Sequence, residues 1–214
     1  MDRMRLTILA AGAAVALAFV VFRPRRGNAA MPQEGAPAPN FQGMMVYEGY
    51  TRPIKLSDYK GSKLVLYFYP KDNTPGCTKE ACAFRDGFKK FKAAGVYILG
   101  CSVDSAPSHA AFIKKYNLPF PLLLDPDKKI ATAYGAANGI PILGLNRRIT
   151  FVIDEHGKIV KVYPRVDPST NPGEILSAYG ATPLATSSPL ATPAPTATPA
   201  KHRHHVEQEE EPDQ

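Results

Sequence analysis

The sequence contains little cysteine, with three residues in a chain of 214. Three is too few for a small secreted scaffold held together by disulfides, and an odd number leaves one thiol over. The sequence also lacks a basic stripe with interleaved aromatic residues, because the Lys and Arg residues behind its net charge of +7 are scattered. Nucleic-acid binding typically needs such a stripe, so no nucleic acid is expected as a partner.

Near the N-terminus the chain has one long uncharged run, residues 6–22, with the sequence LTILAAGAAVALAFVVF. As a helix these 17 residues would span about 25 Å, the short edge of what crosses a hydrocarbon core. A cleaved signal peptide is the rival interpretation, because small residues follow at 28–30. Arg23, Arg25 and Arg26 separate the run from that cleavage site and favour an uncleaved anchor. Residues 1–30 are therefore predicted to be membrane-associated or exported, with the side of the membrane undecided because arginines flank both ends.

The two remaining flanking segments are rich in proline. Residues 23–40 are predicted to be a flexible spacer, and residues 181–214 a disordered tail rich in Pro, Thr and Ala. His202, His204 and His205 lie in that tail, where nothing orders their imidazoles, so a solvated segment is preferred to a metal site.

Between these ends, residues 31–180 show strands alternating with helices and then a hairpin. Apolar runs predict strands at 64–69, 96–103 and 122–124, and helical periodicity predicts helices at 78–94, 107–116 and 128–134. A hairpin over 149–154 and 158–163 and a helical turn or two at 174–179 complete the domain. The order predicts an α/β fold with a mixed central β-sheet flanked by helices on both faces.

The segment that carries candidate reactive residues is YPKDNTPGCTKEAC, which follows the first predicted strand and opens a helix. Cys77 lies in the first turn, where unpaired N–H groups and the helix dipole favour the thiolate, the nucleophilic form. The hydroxyl of Thr74 is expected to hydrogen-bond the sulfur or an atom of the molecule that it attacks, and Pro70 and Pro75 are expected to stiffen the loop. The alternative is an inert, buried helical cysteine with a capping Thr74.

The spacing of Cys77 and Cys82 constrains how they can react with each other. Five residues apart on a regular helix, their Cα atoms would be separated by roughly 8–9 Å. A disulfide needs Cα atoms within about 7 Å. If the two cysteines pair, the first turns of the helix must unwind.

The same segment resembles the active-site motif of the peroxiredoxins, Pro-x-x-x-Thr-x-x-Cys, which Pro70, Thr74 and Cys77 match. A second cysteine five residues on, Cys82, is similar to the bacterioferritin comigratory protein or peroxiredoxin Q branch. The stretch RRITFVID resembles the family's strand that carries an active-site arginine, and Arg148 is the match by position. The resemblance covers about residues 34–165.

The resemblance implies a thioredoxin-like fold and a thiol peroxidase cycle. Cys77 would attack a hydroperoxide and become a sulfenic acid, Cys82 would condense with it, and a thioredoxin-type dithiol would reduce the disulfide. Arg148 would favour the thiolate and bind peroxide oxygens in the transition state. The family implies neither a metal nor an organic cofactor, and a monomer is expected.

Two other functions on related folds remain as alternatives. A membrane-anchored disulfide oxidoreductase would normally use Cys-x-x-Cys, and a copper-delivery protein would need closer cysteines and a facing histidine. Cys101 is predicted to be a core residue and His109 a solvent-facing residue on a surface helix. The C-terminal helix is expected to be short, with Pro172 and Gly173 interrupting it.

Overall fold

The computed structural model describes residues 30–137 and 143–180, with side chains up to residue 178. They form one seven-stranded mixed sheet in the order β2-β1-β5-β4-β3-β6-β7. Strands β3, β4 and β5 run parallel to one another, and the other neighbouring strands pair antiparallel. The strands are β1 (Gln42–Tyr47), β2 (Tyr50–Lys55), β3 (Lys63–Phe68), β4 (Val96–Ser102), β5 (Leu122–Leu124), β6 (Ile149–Ile153) and β7 (Ile159–Tyr163).

Helices cover both faces of this sheet, as predicted. The helices are α1 (Pro75–Ala93), α2 (Ala106–Tyr116), α3 (Lys129–Ala133) and α4 (Asn171–Gly180), with a 3₁₀ turn at Leu56–Tyr59. Alternation along β3 divides the core, because successive strand residues point to opposite faces. Leu64, Leu66 and Phe68 pack in a cluster that includes α3, whereas Val65 and Tyr67 pack in a second cluster with α1, α2 and α4.

The sheet register brings distant parts of the chain to one edge. Phe68, the last residue of β3, pairs with Ile149, the first residue of β6. The loop that follows β3 and the residue that precedes β6 therefore lie side by side, next to the start of α1. This edge holds the candidate site.

Most predicted elements are confirmed, with shifts at their ends. Helix α1 begins at Pro75 rather than at residue 78, because proline tolerates the first helical position. Helix α4 is longer than expected, and Pro172 and Gly173 lie inside its first turn instead of interrupting it. The prediction that Cys101 is a core residue is confirmed, since it is fully buried on β4.

Two segments differ more strongly from expectation. No element was predicted for residues 42–59, which form the β1–β2 hairpin and the 3₁₀ turn. The spacer was predicted to extend to residue 40, and its last residues are instead part of the fold. The backbone N–H groups of Gly35 and Ala38 donate hydrogen bonds to the carbonyls of Ile159 and Gly157 at 2.7 and 2.9 Å. These bonds add a short extra segment beside the β6–β7 hairpin.

The predicted anchor at residues 6–22 and the predicted tail at 181–214 lie outside the described residues. Within the part of the chain that is described, no helix combines the length and apolar character needed to cross a bilayer.

Candidate active site

Cys77 occupies the third position of α1. Thr74 is the N-cap residue with extended backbone, and Pro75 follows at the first helical position. The first helical hydrogen bond runs from the N–H of Thr78 to the carbonyl of Thr74 at 2.9 Å, so the amide of Cys77 precedes that series. Cys77 is 1% exposed. The N–H groups before this bond have no partner within the helix and lie at the positive end of its dipole.

The guanidinium of Arg148 links the sulfur of Cys77 to a buried carboxylate. Its Nη2 donates to Sγ of Cys77 at 3.3 Å, and its Nη1 donates to Oε2 of Glu80. Burial opposes the charge of Arg148, but Glu80 and Cys77 outweigh it and raise the arginine pKa above its usual value. The cation beside the sulfur is therefore permanent at any physiological pH.

Glu80 was not identified in the sequence analysis, although it is central to this arrangement. It lies one helical turn after Cys77 and is fully buried on the same face of α1. Burial raises the pKa of Glu80 to about 7, even though Arg148 acts in the opposite direction. The sequence did contain a signal, because Glu80 is an acidic residue on an otherwise apolar face of the predicted helix. An acidic residue is seldom buried without a partner, so this position indicated a buried cationic partner.

The loop before α1 contributes the other predicted residues. The hydroxyl of Thr74 donates to the carbonyl of Lys71 at 3.0 Å, within its own loop rather than to Cys77. Pro70 and Arg148 both line an open hollow of about 370 Å³. The hollow is lined by Pro70, Asn146, Arg147, Arg148, Pro164, Arg165 and Val166.

Comparison with known proteins places this geometry in a family. Residues 35–162 match the model of the AhpC/TSA family. The chain is 46% identical over 127 residues to the putative peroxiredoxin bcp of Coxiella burnetii, covering 58% of this chain and 84% of that protein. It is 50% identical over 112 residues to chloroplastic peroxiredoxin Q of Sedum lineare, covering 52% of this chain and 60% of that protein. The chain belongs to the AhpC/TSA family, as a peroxiredoxin of the Bcp and peroxiredoxin Q branch.

Solved structures agree with this assignment. Peroxidoxin BcpB of Mycobacterium tuberculosis matches with a TM-score of 0.63 and 31% identity, over 70% of this chain and 97% of that one. Peroxiredoxin Q of Xanthomonas campestris matches with a TM-score of 0.61 and 31% identity, over 72% of this chain and 98% of that one. The fold is therefore the thioredoxin-like peroxiredoxin fold, and the protein is a thiol-based peroxidase. The competing copper-delivery and disulfide oxidoreductase functions are not favoured.

The second cysteine of this peroxiredoxin lies on the same helix as the first. Cys82 is half-buried, and both Cys77 and Cys82 are free thiols. Helix α1 is continuous from Pro75 to Ala93 and so carries both residues. The two sulfurs are thus separated by an intact helical segment in this structure.

The prediction that His109 faces solvent is wrong. This histidine of α2 is fully buried, and its Nδ1 lies 2.9 Å from Oδ2 of Asp72 in the peroxiredoxin's active-site loop. Its spacing from Phe112 and Tyr116 puts it on the buried face of α2, but its partner is a carboxylate on a distant loop, which the sequence of α2 does not reveal. Within the described ranges no group of His, Cys, Asp or Glu is arranged to hold a metal ion.

Proposed function

We propose that this peroxiredoxin reduces hydroperoxides through Cys77 as the peroxidatic residue, Cys82 as the resolving residue and a thioredoxin-type dithiol as the final reductant. The observation that carries the proposal is the 3.3 Å contact between Nη2 of Arg148 and Sγ of Cys77 at the N-terminal end of α1. A fixed cation and free helix N–H groups at one sulfur are the conditions under which a thiolate persists and attacks.

In the first step the thiolate of Cys77 attacks the outer oxygen of the hydroperoxide. An S–O bond forms and the O–O bond breaks, so the sulfur is oxidised to sulfenic acid. The other oxygen leaves as an alkoxide or hydroxide, which takes up a proton to give an alcohol or water. Negative charge moves from sulfur to the departing oxygen, and donors aimed at that oxygen lower the barrier. Arg148 supplies such donors, and Thr74 can supply a hydroxyl if its bond to Lys71 is exchanged for one to the substrate.

In the second step the thiol of Cys82 displaces water from the sulfenic acid and forms a disulfide with Cys77. An intact helix holds residues five apart at roughly 8–9 Å between Cα atoms, beyond the reach of a disulfide. We therefore propose that the first turns of α1 unwind between the two steps. Local opening at a helix end requires much less free energy than global unfolding. A dithiol then reduces the exposed disulfide by exchange and restores both thiols.

The experiment is peroxide consumption by the full chain with thioredoxin and thioredoxin reductase. The Cys77→Ser variant should show no turnover. The Cys82→Ser variant should consume one equivalent of peroxide and then recycle poorly. Cys101→Ala is the matched control, because this third cysteine is fully buried on β4 and should not affect turnover. Parental activity in the Cys77→Ser variant would refute the proposal.

We also propose a division of the chain into an N-terminal targeting or anchoring segment (1–30), a catalytic domain (31–180) and a Pro/Thr/Ala-rich tail (181–214). The family match at residues 35–162 supports it, because it falls inside the middle segment. The uncharged run at 6–22 supports the targeting role. Membrane fractionation with mass spectrometry of the mature N-terminus distinguishes an anchor from a cleaved signal. Recovery of the full-length chain without membrane association would exclude both. Sedimentation analysis tests the expected monomer.

A further inference from the structure

A buried polar cluster joins the active-site loop to α2. The carboxylate of Asp72 is its centre, with a side chain 1% exposed. Its Oδ1 accepts a hydrogen bond from the hydroxyl of Tyr69 at 2.7 Å, and its Oδ2 accepts one from Ser108 at 2.7 Å. The same Oδ2 lies 2.9 Å from Nδ1 of His109. Each oxygen of the Asp72 carboxylate therefore accepts a hydrogen bond from a specific donor.

The backbone of the loop is fixed at the same point. The N–H of Asp72 donates to Oδ2 of Asp104 at 2.8 Å, and that oxygen also accepts the hydroxyl of Ser102 at 2.7 Å. The next residue, Asn73, has a φ of 58°, a left-handed conformation that few non-glycine residues adopt. Such a conformation persists where the surrounding contacts determine it.

His109 completes this cluster as a hydrogen-bonding partner of Asp72. Its Nδ1 faces the Asp72 carboxylate, and its Nε2 lies 3.4 Å from the carbonyl oxygen of Leu123. A buried polar side chain without a hydrogen-bond partner is unfavourable, so His109 and Asp72 depend on each other for their burial.

We propose that Asp72 and His109 are positioning residues for the peroxide-reducing step. The pair holds the loop between β3 and α1 so that the start of α1 presents Cys77 to Arg148. This inference rests on the proposed role of Cys77. It adds that a residue of α2, remote in sequence from the motif, sets the geometry of the motif.

The contacts of Asp72 predict different effects on the two chemical steps. Its partners lie at the ends of β3 and β4 and on α2, and none of the partners described above belongs to α1. Unwinding of the first turns of α1 therefore leaves the cluster in place. Loss of the cluster should slow attack on peroxide, which needs the assembled site, and should not slow disulfide formation, which needs the helix start to open.

The experiment measures the two steps separately in Asp72→Asn and His109→Ala. The first step is followed in a Cys82→Ser background by competition with horseradish peroxidase for hydrogen peroxide. Disulfide formation is followed by rapid thiol alkylation at peroxide concentrations that make the first step fast. We expect the first rate constant to fall by about 10- to 100-fold, as for an active site displaced by about 1 Å. The rate of disulfide formation should not fall.

Two further variants test the interpretation. His109→Asn keeps a side-chain donor beside Asp72 and should recover part of the lost rate. His156→Ala, at an exposed turn of the β6–β7 hairpin, should leave both steps unchanged. If the two main variants fail to fold, Ser108→Ala removes a single donor from the same oxygen and should still slow the first step.

The outcomes separate this inference from the proposed function. A parental chain that consumes no peroxide refutes the proposed function and this inference with it. An active parent with parental first-step rates in Asp72→Asn and His109→Ala, or in Ser108→Ala where only that variant folds, refutes the positioning role alone. Equal slowing of both steps together with a lower urea midpoint also refutes it, because that result indicates general destabilisation.

Discussion

Nη2 of Arg148 donates to Sγ of Cys77 at 3.3 Å although the two residues are 71 positions apart in the chain. The antiparallel pairing of β3 with β6 produces this contact, because it places Ile149 opposite Phe68 and so puts Arg148 beside the loop that leads to α1. The position of the arginine is thus determined by strand register. A shift of one residue in that register would turn its side chain to the other face of the sheet.

Replacing Arg148 tests this contact directly. Arg148→Ala should lower kcat/KM for hydrogen peroxide by about 100- to 1,000-fold, the range seen when one donor to a developing oxyanion is removed. Arg148→Lys should recover little, because an ammonium group cannot bind sulfur and carboxylate together with a planar fork. Steady-state kinetics with excess reductant gives both values. The matched control is Arg147→Ala, whose exposed side chain bonds only the carbonyl of Gly135 among the described residues and should leave kcat/KM unchanged.

Glu80 should make the stability of the reduced protein depend on pH. An unfolded glutamate releases its proton near pH 4.5, whereas burial raises the pKa of Glu80 in the folded chain to about 7. Between these values the folded state holds the extra proton, so the free energy of unfolding falls as pH rises through this interval. The loss is complete above pH 7 and is on the order of 3 kcal/mol, since a pKa difference of one corresponds to about 1.4 kcal/mol.

The Glu80→Gln variant isolates that contribution, because glutamine does not titrate. Urea denaturation of both proteins between pH 4.5 and 8 should show the variant gaining stability relative to the parent as pH rises. A constant difference between the two proteins across this range would contradict the raised pKa. Loss of the Arg148 contact in the variant changes the constant difference between the two plots of unfolding free energy against pH. It does not change how that difference grows as pH rises.

The motif and the alternation of strands and helices were sufficient to predict the fold and to select Cys77, Thr74 and Arg148 as site candidates, and the structure brings Arg148 to the sulfur of Cys77. Local sequence signals were sufficient for this part of the prediction because the loop, the helix start and the second cysteine are contiguous in sequence. Glu80 and His109 were missed for the opposite reason. Their burial depends on Arg148 and Asp72, partners brought near by tertiary structure, and a polar residue without a visible partner is ordinarily assigned to the surface.

Tyr67 offers a test of an unpaired buried hydroxyl. Its side chain is 1% exposed, and its hydroxyl has no hydrogen-bond partner among the residues described. Burial raises the pKa of this tyrosine well above its ordinary value, so the group stays neutral. Tyr67→Phe should stabilise the protein by about 1 kcal/mol, because it removes an unsatisfied polar atom and keeps the stacking on Phe84 at 4.7 Å between ring centroids.

Tyr69 provides the matched comparison two residues along the chain. Its hydroxyl donates to Asp72 at 2.7 Å, so Tyr69→Phe leaves a buried carboxylate oxygen without this donor. This variant should be destabilised by about 1–3 kcal/mol. Urea denaturation of both variants gives the comparison, and changes of the same sign in the two proteins would contradict the assignment of the hydroxyl groups.

Gly100 should tolerate no side chain, because strand β4 passes close to the aromatic core at this position. A Cβ built there would lie 2.6 Å from the hydroxyl oxygen of Tyr67 and 2.7 Å from Cδ2 of Leu122. Gly100→Ala should therefore lower the free energy of unfolding by about 1–3 kcal/mol, as expected for overpacking in a close-packed interior. Gly173→Ala is the control, since a Cβ at this position in α4 meets nothing within 4 Å and helix propensity favours alanine by about 0.5–1 kcal/mol. Urea denaturation should show the first variant below the parent and the second at or above it; equal stabilities of the two variants would mean that β4 shifts to accommodate the methyl group.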